Sequence, residues 1–389
     1  MPPNWKRNRV ESVLTQPDDV DWMNKALEQA ASVLFITTPN PRVGCVIVKN
    51  RQLLGQGATQ KAGGPHAEIC AIHHAQNNGH DLAGSTFYVT LEPCSHYGKT
   101  PPCVDAIIAA KPARVVIAMA DPNPLVGGRG IARLQEAGIE VRVNLLAAQA
   151  LALNPGFISR MNTGRPWVWT KLASSLDGRM ALLNGQSQWI TSAAARADGH
   201  YWRARSCVVL TGMGTILHDD PLMTVRSVDT PRQPVRAIID SRFIVPETAR
   251  IFNGDPVWVF TTHPDDAKAA RLQAKNVQLI TMPEKNGHVD LDAVLDWMGR
   301  QHINEVHVEA GPGLNGALLQ AGLLDELLLY MAPKILGDAH GLFRLPVLNE
   351  LDQAYQFDFF ETQTFAPDLR LRARLPNRWD TLLNSVMHK

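Results

Sequence analysis

Apolar and polar residues alternate along this chain in two distinct rhythms. Val20, Met23, Leu27, Ala30, Ala31 and Leu34 follow helical spacing, which predicts a helix capped by Asp18 or Asp19. After the turn Thr38-Pro39-Asn40-Pro41, the unbroken apolar run Val43–Val48 reads as a buried strand, and a second strand follows the turn Lys49-Asn50-Arg51. A helix is predicted from His66 to about Asn77, opening after Gly63-Gly64-Pro65. Strands are expected at Thr86–Leu91, Arg114–Met119 and Glu140–Val143, with helices from Pro102 to about Ala110 and near Gly130–Ala137. Strands alternating with helices in this way predict an α/β sandwich.

Asn-Pro-Gly and Thr-Gly-Arg-Pro interrupt the pattern across Asn154–Pro166, where a boundary is expected. A new alternation then begins. It predicts strands at Trp167–Leu172, Cys207–Thr211, Val235–Asp240, Val257–Phe260, Val277–Thr281 and Glu305–Glu309. Helices are expected near Ser192–Arg205, Leu291–Gln301 and Asn315–Ala321. Residues 1–17 read as a disordered tail, 18–162 as a first domain and 165–389 as a second α/β domain; no repeat or low-complexity segment is visible. A length of 389 residues suits two domains.

Composition narrows the class of partner. Basic and acidic residues number 38 and 37, so no overall field favours nucleic acid or an anionic membrane. No apolar run reaches the ~20 residues of a membrane span, and the polar start lacks the apolar centre of a signal peptide. Five cysteines do not make a disulfide framework. The expectation is a soluble cytoplasmic protein.

The chemistry-bearing pattern is His66-Ala67-Glu68 followed by Pro93-Cys94 and Cys103. One imidazole and two thiolates can supply three ligands to Zn²⁺ and leave the fourth tetrahedral position open to water. Bound zinc lowers the pKa of such a water towards ~7. Glu68, not a ligand, is then free to carry the proton to a leaving amine. The order His-x-Glu…Pro-Cys…Cys is the zinc-deaminase pattern, with eight residues between the cysteines here rather than two. Three other readings stand beside it: a structural zinc site completed by Cys70, a Cys94–Cys103 disulfide, or unrelated buried thiols. Cys45 and Cys207, inside apolar runs, read as core residues.

In the second domain, Val306-His307-Val308-Glu309 followed by Ala310-Gly311-Pro312-Gly313-Leu314-Asn315-Gly316 reads as a strand, a glycine-rich turn and a helix start. Such a turn suits phosphate, although it is not the Gly-x-Gly-x-x-Gly dinucleotide fingerprint.

The segment Thr90-Leu91-Glu92-Pro93-Cys94-Ser95-His96-Tyr97-Gly98-Lys99-Thr100-Pro101-Pro102-Cys103 closely resembles the bifunctional deaminase–reductases of riboflavin biosynthesis. Pro39-Asn40-Pro41-Arg42-Val43-Gly44 and Asp121-Pro122-Asn123-Pro124 resemble the deaminase half. The likeness continues through Lys171–Arg179, Gln188–Ser192, Asp219-Asp220-Pro221 and Val308–Pro312, and so covers nearly everything after residue 18. It implies a cytidine-deaminase-like three-layer α/β/α domain followed by a dihydrofolate-reductase-like α/β domain. It also implies two activities: hydrolytic deamination of a phosphoribosylaminopyrimidine, then NADPH-dependent reduction of its ribosyl group.

Residue by residue, the resemblance places His66, Cys94 and Cys103 as zinc ligands and Glu68 as the proton carrier. It places Asn40, His96, Lys99, Thr100, Asp121 and Asn123 at the pyrimidine or its ribose phosphate. Read without the family, Asp121-Pro122-Asn123-Pro124 is a plain turn. Family members often carry a histidine seven residues before the zinc histidine, where this chain has Thr59. In the reductase half, Ala173, Trp189, Thr215, Asp219, Ser241, Gly311, Pro312, Gly313, Leu314, Asn315 and Gly316 fall at the cofactor. Lys171, Ser187, Arg203, Met223, Arg226 and Glu309 fall at the substrate, with Arg203 and Arg226 as phosphate clamps and Lys171 and Glu309 as an ion pair. A nucleoside or nucleic-acid base deaminase, or a zinc-stabilised binding module, would share the metal ligands but not the second half. A homo-oligomer, a dimer, is expected.

Overall fold

Small residues decide how the first sheet is covered. In the computed structural model, which describes residues 18–97, 101–123 and 127–387, the chain forms two compact units. The first takes residues up to Val33, Arg42–Leu153 and the end from Val386; the second takes Leu34–Pro41 and Asn154–Ser385. The tail read as disordered, residues 1–17, lies outside the described residues.

The first unit contains α1 (Asp19–Ser32), β1 (Gly44–Lys49), β2 (Gln52–Ala58), α2 (Ala67–Asn77), β3 (Thr86–Val89), α3 (Cys103–Ala109), β4 (Arg114–Ile117), α4 (Arg129–Glu136), β5 (Glu140–Arg142) and α5 (Ala147–Leu153). Its sheet runs β2-β1-β3-β4-β5. Strands β1–β2 and β1–β3 pair antiparallel, and β3–β4 and β4–β5 pair parallel. A Cβ on Gly44 would lie 1.9 Å from the Ala26 carbonyl oxygen of α1, so that face of β1 touches the helix backbone. Cys45 points to the opposite face with its partner Gly57, where a Cβ would lie 2.5 Å from the Cβ of Cys70 in α2. Helices α1 and α2 therefore cover opposite faces, which makes the three-layer α/β/α arrangement.

The expected cap of α1 is not formed: Asp18 stands at the N-cap without a side-chain cap bond and pairs instead with Arg51. Asp19 is fully buried. Its carboxylate takes both Nη1 and Nη2 of Arg114 at 2.9 Å, and the Tyr88 hydroxyl donates to it at 2.8 Å. Desolvation opposes burial of this carboxylate, and the bonds from Arg114 and Tyr88 offset that cost.

The second unit contains α6 (Pro155–Thr163), β6 (Trp167–Ser175), β7 (Arg179–Leu182), α7 (Ala193–Arg205), β8 (Val208–Gly212), α8 (Met213–Asp219), β9 (Val235–Ile239), β10 (Val257–Thr261), α9 (Asp266–Gln273) and β11 (Val277–Thr281). It continues with β12 (Glu284–Lys285), β13 (His288–Val289), α10 (Leu291–Arg300), β14 (Glu305–Val308), α11 (Pro312–Gln320), β15 (Glu326–Ala332), β16 (Ala339–Gly341), β17 (Asp358–Phe365), β18 (Asp368–Arg374) and, as far as Ser385, α12 (Arg378–Met387). The large sheet is ordered β11-β10-β9-β8-β14-β6-β15-β18-β17. Its first seven strands pair parallel and the last two join antiparallel. One face, with Val208, Leu210, Val306 and Val308, packs on α10 and α11. The other, with Val209, Ile238 and Val259, packs on Ile216 of α8 and Leu272 of α9. Strands buried on both faces explain the unbroken apolar runs in the sequence.

Asn154-Pro155-Gly156, expected to break the pattern, instead starts a helix: Asn154 is the N-cap and Pro155 occupies the first turn. The same applies to α11, which begins at Pro312 rather than Asn315. Strands β15, β17 and β18 carry no sequence expectation. In β18, Arg370, Arg372 and Arg374 look like surface positions but pair with Asp198, Glu361 and Glu326 and stack over Trp202, Phe360 and Trp379.

Replacing Asp19 by Ala is expected to leave the buried Arg114 with only the exposed Glu140 as a carboxylate partner and to lower stability by roughly 3 kcal/mol. Urea unfolding followed by circular dichroism checks this, and a midpoint equal to that of the unmodified chain would contradict it.

Candidate active sites

Three short segments build the first site. His66 is the N-cap of α2, and its ring is not spent on capping. Cys94 lies in the loop after β3, and Cys103 opens α3. His66 Nδ1 stands 3.6 Å from Cys94 Sγ and 3.3 Å from Cys103 Sγ, and the three ligand atoms lie within 4.8 Å of one another. The Cys103 backbone N–H donates to Cys94 Sγ at 3.3 Å, as a helix start does for a thiolate. Hydrogen bonding from the Cys103 thiol, with His66 and this amide, holds Cys94 well below the ordinary thiol value. An imidazole and two convergent sulfurs fit a zinc ion.

The rival readings of this cluster fail on geometry. Cys70 does not belong to the group; its Sγ lies 4.0 Å from the Pro65 carbonyl oxygen. Cys94 and Cys103 are free thiols, not a disulfide. Cys45 and Cys207 are buried, as core residues should be.

Glu68, in the first turn of α2, is 3% exposed. Burial pushes its carboxyl up to about 7, with the charge on Cys94 adding to the effect. A cavity of about 410 Å³ lies beside His66, walled by Pro65, Ile69, Pro102 and Asp105.

The expected pyrimidine contacts are placed less uniformly. His96 is exposed. Asp121 accepts the Asn123 backbone N–H at 2.8 Å, the plain turn read from its sequence. Asn40 falls in Leu34–Pro41, which belongs to the second unit, and none of these residues walls the His66 cavity. Lys99 and Thr100 lie outside the described residues. Thr59 is buried at the end of β2, its hydroxyl donating to the Val43 carbonyl at 3.5 Å.

One residue went unnoticed as a structural anchor. Glu92 is 3% exposed and accepts backbone N–H groups from Asp121, Gly128, Gly130 and Ile131 at 2.9–3.3 Å. It thereby holds the loop after β4 against the start of α4. The only available signal was its place beside Pro93-Cys94.

The second site is a cavity of about 2430 Å³ at the carboxyl ends of the parallel strands, where open α/β sheets bind ligands. Of the residues expected at the cofactor, Ala173, Trp189, Thr215, Asp219, Ser241, Gly311, Pro312, Gly313 and Leu314 all line it. Gly311 and Gly313 have nothing within 4 Å of where a Cβ would stand, and they sit at the start of α11, an arrangement that suits phosphate. Asn315 and Gly316 do not line the cavity. Asn315 is fully buried and donates to the Ala310 carbonyl at 3.0 Å, while Gly316 abuts the backbone of Arg344. These two hold the turn together from behind.

All six residues expected at the reductase substrate line the same cavity: Lys171, Ser187, Arg203, Met223, Arg226 and Glu309. Their pairing differs from expectation. Glu309 is forked by Arg203, with Nη2 donating to Oε2 at 2.8 Å and Nε to Oε1, so no Lys171–Glu309 ion pair forms. Burial alone would raise the Glu309 carboxyl; Arg203 outweighs it and holds the group well below the ordinary value. Arg203 is therefore not free to clamp a phosphate. Lys171 lies with its ammonium 5.7 Å from the Tyr330 ring centre, and burial lowers its pKa. Arg226 is exposed at the cavity, and its guanidinium donates to the Thr224 hydroxyl at 3.1 Å and to the Thr224 carbonyl at 3.4 Å.

Residues 16–119 match the cytidine and deoxycytidylate deaminase zinc-binding region, and residues 166–371 match the RibD C-terminal domain. The chain is 48% identical over 367 residues to riboflavin biosynthesis protein RibD of Escherichia coli, covering 91% of this chain and 98% of that protein. The chain belongs to the RibD family of riboflavin biosynthesis proteins. Among solved structures, RibD of Acinetobacter baumannii superposes with a TM-score of 0.84 at 41% identity, covering 92% of this chain and 98% of that one. A Thermotoga maritima structure described as a diaminohydroxyphosphoribosylaminopyrimidine deaminase/5-amino-6-(5-phosphoribosylamino)uracil reductase gives 0.83 at 32% identity, with the same coverage. The RibD family joins a zinc-binding deaminase domain to a reductase domain, and both are present here. Among the described residues no helix is long and apolar enough to cross a membrane.

Cys94→Ala and Cys103→Ala are each expected to lose most bound zinc, whereas Cys70→Ala keeps about one ion per chain. Elemental analysis of the purified variants reads this directly; undiminished metal in both of the first two would remove the site.

Proposed function

We propose that residues 18–162 hydrolytically deaminate 2,5-diamino-6-(5-phosphoribosylamino)pyrimidin-4(3H)-one to 5-amino-6-(5-phosphoribosylamino)uracil. Residues 165–389 then reduce the ribosyl side chain to ribityl with NADPH. The observation that carries this reading is the convergence of His66, Cys94 and Cys103 within 4.8 Å, close to the buried Glu68, in a chain of the RibD family.

His66, Cys94 and Cys103 would hold zinc, which when bound supplies a Lewis acid that eases ionisation of water at neutral pH. Glu68 takes a proton and returns it to the departing ammonia, and its burial suits a group that must be acid and base in turn. His96, Lys99, Thr100, Asp121, Asn123 and Asn40 are assigned to the ring and its ribose phosphate on the family resemblance.

In the reductase half, NADPH when bound supplies the hydride. Gly311–Leu314 at the start of α11 cradles its phosphates, with Ala173, Trp189, Thr215, Asp219 and Ser241 along the rest of the cavity wall. Lys171, Ser187, Met223 and Glu309 face the substrate. Arg226 takes the substrate phosphate, because its guanidinium is not committed to a carboxylate as that of Arg203 is.

Cytoplasmic placement is supported by the five free cysteines. A homodimer is supported by the exposed edge strand β17, where Phe359 is 69% exposed; a single-chain mass in sedimentation would overturn it.

Glu68→Gln is expected to keep its zinc while ammonia release falls at least ~10²-fold. The same variant should still oxidise NADPH on already deaminated substrate. Arg226→Glu should do the reverse, raising the KM of that substrate at least about tenfold while ammonia release persists. Ammonia and NADPH assays run separately on each variant decide both assignments, and retained deamination in Glu68→Gln would remove it from the mechanism.

A further inference from the structure

Strand β14 alternates. Val306 and Val308 face the core beneath α10 and α11, so Glu305, His307 and the following Glu309 form a polar row on the other face. Parallel pairing sets His307 opposite Trp169 of β6, with Lys171 and Ala173 two and four residues further along that strand. The row runs from a fully buried end to the reductase cavity, which Glu309, Lys171 and Ala173 line.

His307 is 0% exposed, and each ring nitrogen has one partner. The Trp169 indole N–H donates to Nδ1 at 2.6 Å, and Nε2 lies 3.0 Å from Glu309 Oε1. Indole nitrogen is only ever a donor, so Nδ1 must be the acceptor. A neutral imidazole then carries its single proton on Nε2 and donates it to the carboxylate; the imidazolium would set N–H against N–H. Trp169 is itself fixed edge-on to Trp202, with ring centres 5.5 Å apart, and Arg205 lies over it. On its other side, Glu309 is forked by Arg203, whose Nη1 also donates to the Thr224 carbonyl at 2.9 Å.

We infer that His307 is a positioning residue of the reductase site: Trp169 sets its Nε2–H tautomer, and that proton together with Arg203 fixes the Glu309 carboxylate toward the pyrimidine substrate. The inference rests on the reading of Glu309 as a substrate contact. An orienting partner behind a group that touches the substrate is the usual means of holding such groups still. Here each donor nitrogen in the chain Trp169–His307–Glu309–Arg203 meets an acceptor.

The test compares two replacements with opposite merits. Phe fills the volume of the imidazole but cannot donate, whereas Gln fills it less well and keeps an N–H near the position of Nε2. His307→Phe is expected to lower kcat/KM for deaminated pyrimidine by about 10–100-fold, the loss of one bond to a charged group. The KM for NADPH should stay within about twofold, and His307→Gln should recover most of the loss. A packing role predicts the opposite order, so His307→Phe matching the unmodified enzyme or exceeding His307→Gln would overturn the inference. Nitrogen-15 histidine spectra of the unmodified enzyme test it independently of kinetics, the His307 signal being the one lost in His307→Gln. An Nδ1–H tautomer or an imidazolium would overturn it, and Nε2–H supports it. Glu309→Gln separates the two levels: unchanged pyrimidine kinetics there would sink the substrate reading itself. Impaired Glu309→Gln beside an unaffected His307→Phe would sink only the role of His307.

Discussion

Helix α2 lies almost on the backbone of β2, and the deaminase site follows from that approach. Gly55 and Gly57 present no side chain where a Cβ would fall 2.3 Å from the Ala71 carbonyl oxygen or 2.5 Å from the Cβ of Cys70. Any larger residue would lift the helix and carry His66, at its N-cap, away from the two cysteines. Burial also raises the Glu68 carboxyl, so the packing of α2 bears on both the convergence of His66 with the cysteines and the protonation of Glu68. Glu92 does the complementary work on the other side, satisfying four backbone amides that a buried loop would otherwise leave unpaired.

In the reductase unit, the corresponding constraint is parallel pairing. Seven parallel strands place their carboxyl ends along one edge, and the groups at those ends become the cavity wall. At its inner end Glu309 and Arg203 are charged yet only 15% and 14% exposed, a condition stable only if charges are matched internally. Glu309 with Arg203 and His307 shows how this is met at the cavity. Arg370, Arg372 and Arg374 show it again away from the cavity, each with a carboxylate partner and an aromatic face.

Local pattern made much of this visible in advance. The strands of the first unit and the parallel strands of the second announce themselves as apolar runs because both faces are covered. His66, Glu68, Cys94 and Cys103 stand out because their residue types are costly to keep without chemistry. Elements β17 and β18 escaped notice because three arginines in seven residues resemble a solvated segment. Helix α6 stands where a break is expected, and α11 starts three residues before its expected start, because Asn-Pro-Gly and Gly-Pro-Gly signal a break as readily as a helix cap.

The sequence by itself determined the strands read as apolar runs, the two α/β halves and the residues able to bind metal, since periodicity and side-chain chemistry are local properties. Only the tertiary structure decided which charge meets which. Asp19 became the partner of Arg114 rather than a helix cap, and Glu309 that of Arg203 rather than Lys171. It also turned Asn315 and Gly316 away from the cavity that their neighbours line. The physical reason is common to all three. Pairing and desolvation depend on distances between groups as far as 106 residues apart, and those distances exist only once the sheets have formed.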